Sequence, residues 1–156
     1  MSRSRTSRFV MSLALVTTLV SGAAVAQQAT PAEKMLKYRK ALYQAIAYNM
    51  GSMGAMAQDK APFNATDFAT RAGRVADLAP MLAESYAPET QTVTGSKMKA
   101  DAWKNRADFD AKLKDFVDRS STLAQVSKGG DAAKTKAAFF DMANTCKACH
   151  DKYKED

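Results

Sequence analysis

The run FFDMANTCKACHDKY, Phe139 to Tyr153, decides how the rest of the chain reads. Phe139, Met142, Cys146, Cys149 and Tyr153 recur at spacings of 3, 4, 3 and 4, which is one buried stripe of an amphipathic helix. Gly129-Gly130 stops whatever precedes it, and Asp131 is a suitable N-cap. The pattern predicts a helix running from Asp131 to about Lys154. Within that stripe CKACH gathers both cysteines and the only histidine of the 156 residues.

Working outward, the chain is poor in Gly and Pro and rich in Ala, Lys, Met and Leu, which favours helices. A first helix is expected from about Pro31 to Ala57. Thr30 would be its N-cap, Pro31 its first residue and Glu33 the partner in a capping box. Met35, Leu42, Ile46, Met50, Met53 and Ala57 form its stripe. A second helix is expected from near Asn64 to about Glu84, with Phe68, Ala72, Val75, Leu78 and Leu82 inward. Pro80 should kink it or stop it early. Residues 86–99 read as a polar connection. A third helix is expected from about Ala100 to Lys128, with Trp103, Phe109, Leu113, Phe116, Val117 and Leu123 inward. No segment alternates with period two, so no sheet is expected. Four amphipathic helices on mostly short loops make an all-α protein, an antiparallel up-down-up-down four-helix bundle.

The N-terminus reads differently. Arg3, Arg5 and Arg8 precede an apolar run from Phe9 to Val20, and Ala24-Val25-Ala26 is a small-x-small cleavage pattern. That order is a secretory signal peptide, residues 1–26, and points to the periplasm after cleavage near Ala26. The apolar run is shorter than the roughly 20 residues of a membrane span; the competing reading is a short N-terminal anchor. Residues 27–156 then form one domain. Losing three arginines takes 23 basic residues to 20, against 16 acidic, and the net charge from +7 to +4. Acids and bases alternate, as in KNRADFDAKLKD, which is a solvated helix face and not a nucleic-acid patch.

C-x-x-C-H is the attachment motif of c-type haem. Two thiols add to the vinyl groups on one porphyrin edge, and the imidazole reaches the iron from one face. At about 100° per residue, Cys146, Cys149 and His150 fall within roughly 100° of arc, so one helical surface presents all three. The site expected is therefore one covalently attached haem c, with Cys146 and Cys149 as thioether anchors and His150 as axial ligand to the iron. A structural zinc would want four Cys or His ligands, and the chain has three. A thioredoxin-like C-x-x-C belongs near a strand at a helix start. Met50, Met53 and Met56 could be soft Cu(I) ligands, or plain core filling. No acid, base or nucleophile gathers as a catalytic set, so no enzyme is expected.

KYRKAL in the first helix, AWKNRADFDAKLKDF in the third and CKACHDKYK in the fourth resemble the cytochrome c′ family, the class II c-type cytochromes. The position of the motif discriminates, since class I cytochromes c carry it near the N-terminus. Antiparallel topology brings Leu36, Arg39, Leu42 and Tyr43 of the first helix beside the end of the fourth. It should leave Met50, Met53 and Met56 about 10 to 20 Å further along and out of reach. The resemblance implies that Tyr43 stands where low-spin relatives carry an iron-ligating Met. It implies that Arg39 matches the Arg that contacts a haem propionate. Tyr43 as a plain core aromatic and Arg39 as a solvated charge are the bland alternatives. With a phenol pKa near 10, Tyr43 should cover the distal face without bonding the iron. The haem would then be five-coordinate, high-spin and open to NO or CO. A low-spin electron carrier of the same fold is the alternative, with its redox partner unspecified. Lys154 stands where the family often has Arg, which keeps the charge and loses the planar donor fork. The family pairs through its first two helices, and Ala45, Ala55, Ala69 and Ala76 are expected on outer faces there, permitting a homodimer.

Overall fold

The computed structural model describes residues 28–155. The expected signal peptide, residues 1–26, lies outside them. Helix α1 spans Pro31–Ala57 and opens on the anticipated capping box. The Thr30 hydroxyl accepts from the Glu33 amide at 3.2 Å, and the Thr30 amide donates to the Glu33 carboxylate at 2.7 Å. Helix α2 spans Ala65–Leu78, capped by Asn64, whose side-chain oxygen accepts from the Asp67 amide at 2.9 Å. It stops two residues before Pro80, and a short α3, Met81–Glu84, follows. The proline removes a backbone donor and clashes with the preceding turn, so the expected helix to Glu84 is broken there.

The expected third helix is also divided. A short α4, Asp101–Lys104, is separated from α5, Arg106–Ser127, by Asn105 at φ −112°, ψ 48°. The Asp101 carbonyl accepts both from the Asn105 backbone amide at 2.9 Å and from its side-chain amide at 3.2 Å, a back-bonding pattern that bends helices. Helix α6 spans Ala132–Tyr153, and the Asp131 carboxylate accepts from the Lys134 amide at 3.0 Å.

Helix α1 packs on α2, α2 on α5 and α5 on α6, in the antiparallel up-down-up-down four-helix bundle. Helices α1 and α6 touch far less. Met53, Phe68, Val75, Leu82, Leu123 and Met142 are shut off from solvent at the centre of the bundle. Phe68 meets Phe139 edge-on at 5.9 Å between centroids. Met53 and Met56 are core residues, so the cluster of three methionines is not presented to a copper ion. Ala45, Ala55, Ala69 and Ala76, expected on outer faces, are half-buried. The connection over 86–99 is less polar in effect than it reads, since Tyr86 and Thr90 are buried. Its far end is tied to the C-terminus. Met98 and Lys154 form an antiparallel bridge, the Lys99 amide donates to the Tyr153 carbonyl at 2.9 Å, and the Glu155 amide donates to the Lys97 carbonyl at 2.9 Å. Among the described residues there is no named strand, and no helix is long and apolar enough to cross a membrane.

Candidate functional site

Two cavities lie between α1 and α6. The larger, about 400 Å³, is lined by Leu36, Arg39, Tyr43, Tyr86, Cys149 and His150 among others. The smaller, about 260 Å³, is lined by Tyr43, Met50, Leu113, Phe116, Cys146 and His150 among others. Tyr43, Ala47, Cys149 and His150 line both, so the two are halves of one slot. Together they fall in the range of roughly 300–1,000 Å³ typical of cofactor sites. The slot explains why α1 and α6 touch so little.

Helix α6 supplies one wall. Cys146 and Cys149 are free thiols at intermediate exposure, and His150 stands at the rim, exposed. Burial raises both thiols above their ordinary pKa. For Cys149 the nearby Lys112 works the other way. Partial burial, and secondarily Lys154, holds His150 below its usual value, and Asp151 opposes them. The ring is thus kept neutral, the state in which imidazole binds a metal. Just beyond, Tyr153 is buried, its hydroxyl donating to Asp108 of α5, and Lys152 joins the same carboxylate at 2.9 Å. Those bonds hold the Asp108 carboxyl below the ordinary range. They fix the last turn of α6, and with it the direction of His150. Lys154 lines the larger cavity and closes the helix, its ammonium donating to the Glu155 carbonyl at 2.9 Å.

Helix α1 supplies the opposite wall. Arg39 is 3% exposed, which rules out the reading of a solvated charge. Its guanidinium donates from Nε to the Ser85 carbonyl at 3.1 Å, from Nη2 to the same carbonyl, and from Nη2 to the Thr90 hydroxyl at 2.6 Å. It also lies over the Tyr86 ring, 3.9 Å from the centroid. Burial pulls its pKa down. Its Nη1 is buried with no hydrogen-bond partner. A buried guanidinium with one donor left over, at the edge of an apolar slot, suits a carboxylate such as a haem propionate.

Tyr43, one helical turn along, faces both halves of the slot. Its hydroxyl lies 2.8 Å from that of Tyr86. Burial raises Tyr43 far above the usual phenol range, Tyr86 adds to the rise, and Arg39 only partly offsets it. A phenol so placed stays protonated and is a poor metal ligand. Leu36 joins this wall as anticipated, whereas Leu42 packs into the core.

Two site residues run against the sequence reading. Met50, expected out of reach, lines the smaller cavity beside Cys146. On α1 the slot's lining runs from Leu36 as far as Met50, so it reaches further along the helix than the end of α6 alone suggests. Tyr86 was hidden in a connection read as polar. The only signal for it was an aromatic at the head of a segment otherwise rich in Thr, Lys and Ser.

The apolar slot, the two thiols and histidine on one wall and the unpaired guanidinium donor on the other fit one covalently bound tetrapyrrole. The comparisons agree. The family model described as Cytochrome C' matches residues 34–154. Cytochrome c' of Rubrivivax gelatinosus is 35% identical over 120 residues, covering 77% of this chain and 93% of that protein. The solved cytochrome c prime of Shewanella frigidimarina superposes with a TM-score of 0.78 at 37% identity, covering 83% of this chain and all of that one. A ferrous variant of cytochrome c prime from Alcaligenes xylosoxidans, solved with bound NO, superposes at 0.75 with 28% identity, covering 83% of this chain and 99% of that one. The chain therefore belongs to the cytochrome c′ family of c-type haem proteins and carries a covalently attached haem c.

Proposed function

We propose that this is a periplasmic gas-binding cytochrome whose haem iron is five-coordinate and high-spin and takes NO or CO. Cys146 and Cys149 anchor the haem through thioethers, His150 is the axial ligand, Arg39 holds a propionate and Tyr43 covers the distal face. The haem supplies a Lewis-acidic, redox-active iron; everything else is the work of this chain's side chains. Fixing of α6 by Asp108 and Tyr153 orients His150. Arg39 lines the slot and has one guanidinium nitrogen, Nη1, without a hydrogen-bond partner, which supports its role towards an acidic group. The observation that carries the reading is the Tyr43 hydroxyl, engaged by Tyr86 at 2.8 Å in a buried setting that raises its pKa. A neutral phenol so held shields a metal without binding it, and a diatomic can enter by displacing the ring while larger ligands are resisted. The NO-bound relative supports the ligand class. The signal-like residues 1–26 support the compartment, where haem is attached to such motifs.

Optical spectra of the ferric and ferrous protein, with and without CO, test the reading. A high-spin ferrous spectrum with a CO-induced Soret shift is expected. A low-spin spectrum unmoved by CO would leave electron transfer as the function. One observation favours that second reading, namely Met50 in the slot. If the protein is low-spin, Met50→Leu should return it to high-spin.

A further inference from the structure

We propose that Tyr86 is the latch of the distal side. Its hydroxyl holds the Tyr43 ring across the slot and so sets how fast a small ligand gains access. This rests on the gas-binding reading and adds to it a residue that need not touch the ligand.

The two tyrosines are held very differently. Tyr86 is 3% exposed and fixed from several directions. The Arg39 guanidinium lies over one face at 3.9 Å, and Phe109 meets the ring edge-on at 4.8 Å and 75°. The Tyr86 carbonyl accepts from Arg106 Nη1 at 2.7 Å. Arg39 is in turn anchored by Ser85 and Thr90, on either side of Tyr86 in the chain. Tyr86 is therefore a rigid post.

Tyr43 has no such clamp. It is half-buried at the wall of the slot, with no ring stacked on it and no cation over it among the described residues, and its tether is the 2.8 Å bond between the two hydroxyls. Swinging breaks that bond in an apolar slot, where an unpaired hydroxyl is costly. The barrier to ligand entry is thus set by Tyr86, which makes it a positioning residue.

The test uses the haem-loaded protein. Tyr86→Phe keeps the ring, its place under Arg39 and its edge on Phe109, and removes the bond. CO association measured by stopped flow should accelerate roughly tenfold, with dissociation changed much less and the resting spectrum unchanged. Tyr43→Phe breaks the same bond from the other side and should accelerate association comparably; it carries the test if Tyr86→Phe does not fold. The double variant should gain nothing over either single one, since both remove one interaction. Crystal structures give a readout independent of ligand binding. Tyr43 should hold one rotamer bonded to Tyr86 in the unliganded wild type, and should shift or split in Tyr86→Phe. Association within twofold of wild type, additive gains in the double variant, or an unmoved Tyr43 rotamer overturns the latch while CO binding stands. Wild-type ferrous protein that binds no CO overturns the gas-binding reading and the latch with it.

Discussion

Replacing Cys146 and Cys149 together with Ala should release the haem on acid extraction, whereas the wild-type protein should keep it. Retention in the double variant would remove these residues from the attachment site. Tyr43→Ala should speed CO association by clearing the slot, without driving the resting iron low-spin. Tyr43→Met should place a thioether on the same wall and move the spectrum towards six-coordinate, low-spin. Arg39→Leu removes a buried cation together with its bonds to Ser85 and Thr90 and its place over Tyr86. It should cost about 2–4 kcal/mol in denaturant unfolding of the haem protein. Residues at this scale differ in how openly the sequence declares them. Cys146, Cys149 and His150 are legible because attachment chemistry fixes their mutual spacing along one helix. Arg39 and Tyr43 are legible only through family likeness joined to topology. Tyr86 is not legible, because its role is a contact made across 43 residues of chain, to which local pattern is blind.

Among the elements, the caps were the easiest to foresee and the breaks the hardest. Thr30 and Asp131 cap the starts where they were expected to, and Asn64, expected only near the start of α2, caps it in the same way. Asn64→Ala should therefore lower stability by about 1 kcal/mol, seen as a lower denaturation midpoint at constant slope. Pro80 announced the end of α2 through covalent geometry. Asn105 announced nothing, because the residue tolerates a helix and the break is visible only in its backbone angles. The link from α5 to the end of α6 makes a pH prediction. Tyr153 and Lys152 hold the Asp108 carboxyl below its ordinary pKa. A depressed carboxyl stabilises the fold fully above its unfolded value of about 3.9 and loses that effect as pH falls through its folded value. Asp108→Asn should flatten the acid limb of a stability-against-pH curve below that value and lower the plateau above it. An unchanged acid limb would show that the carboxylate adds nothing to the tie.

For the molecule as a whole, helical periodicity and scarce Gly and Pro were enough to indicate a four-helix bundle, since each stripe needs a partner. What pattern could not supply was the depth of the slot, which depends on how far apart two helices stand. Hence Met50 was placed too far away. The expected homodimer is now better argued from Tyr48, 71% exposed on α1 with the Arg71 guanidinium of α2 5.6 Å from its ring, than from the half-buried alanines. Sedimentation at high micromolar concentration should give a dimer that Tyr48→Asp weakens; monomer alone would count against pairing. The sparse contact between α1 and α6 bears on the order of assembly. These are the first and last helices of the bundle, and bringing them together closes the longest loop in the fold, the step with the greatest entropic cost. Side chains alone reward that step poorly, because a slot lies where packing would be. The prosthetic group, once stitched to α6, supplies the missing apolar surface for α1 to settle on. Maturation and the final closure of the polypeptide are on this account one event, and a chain that never receives its pigment should remain open along a single seam.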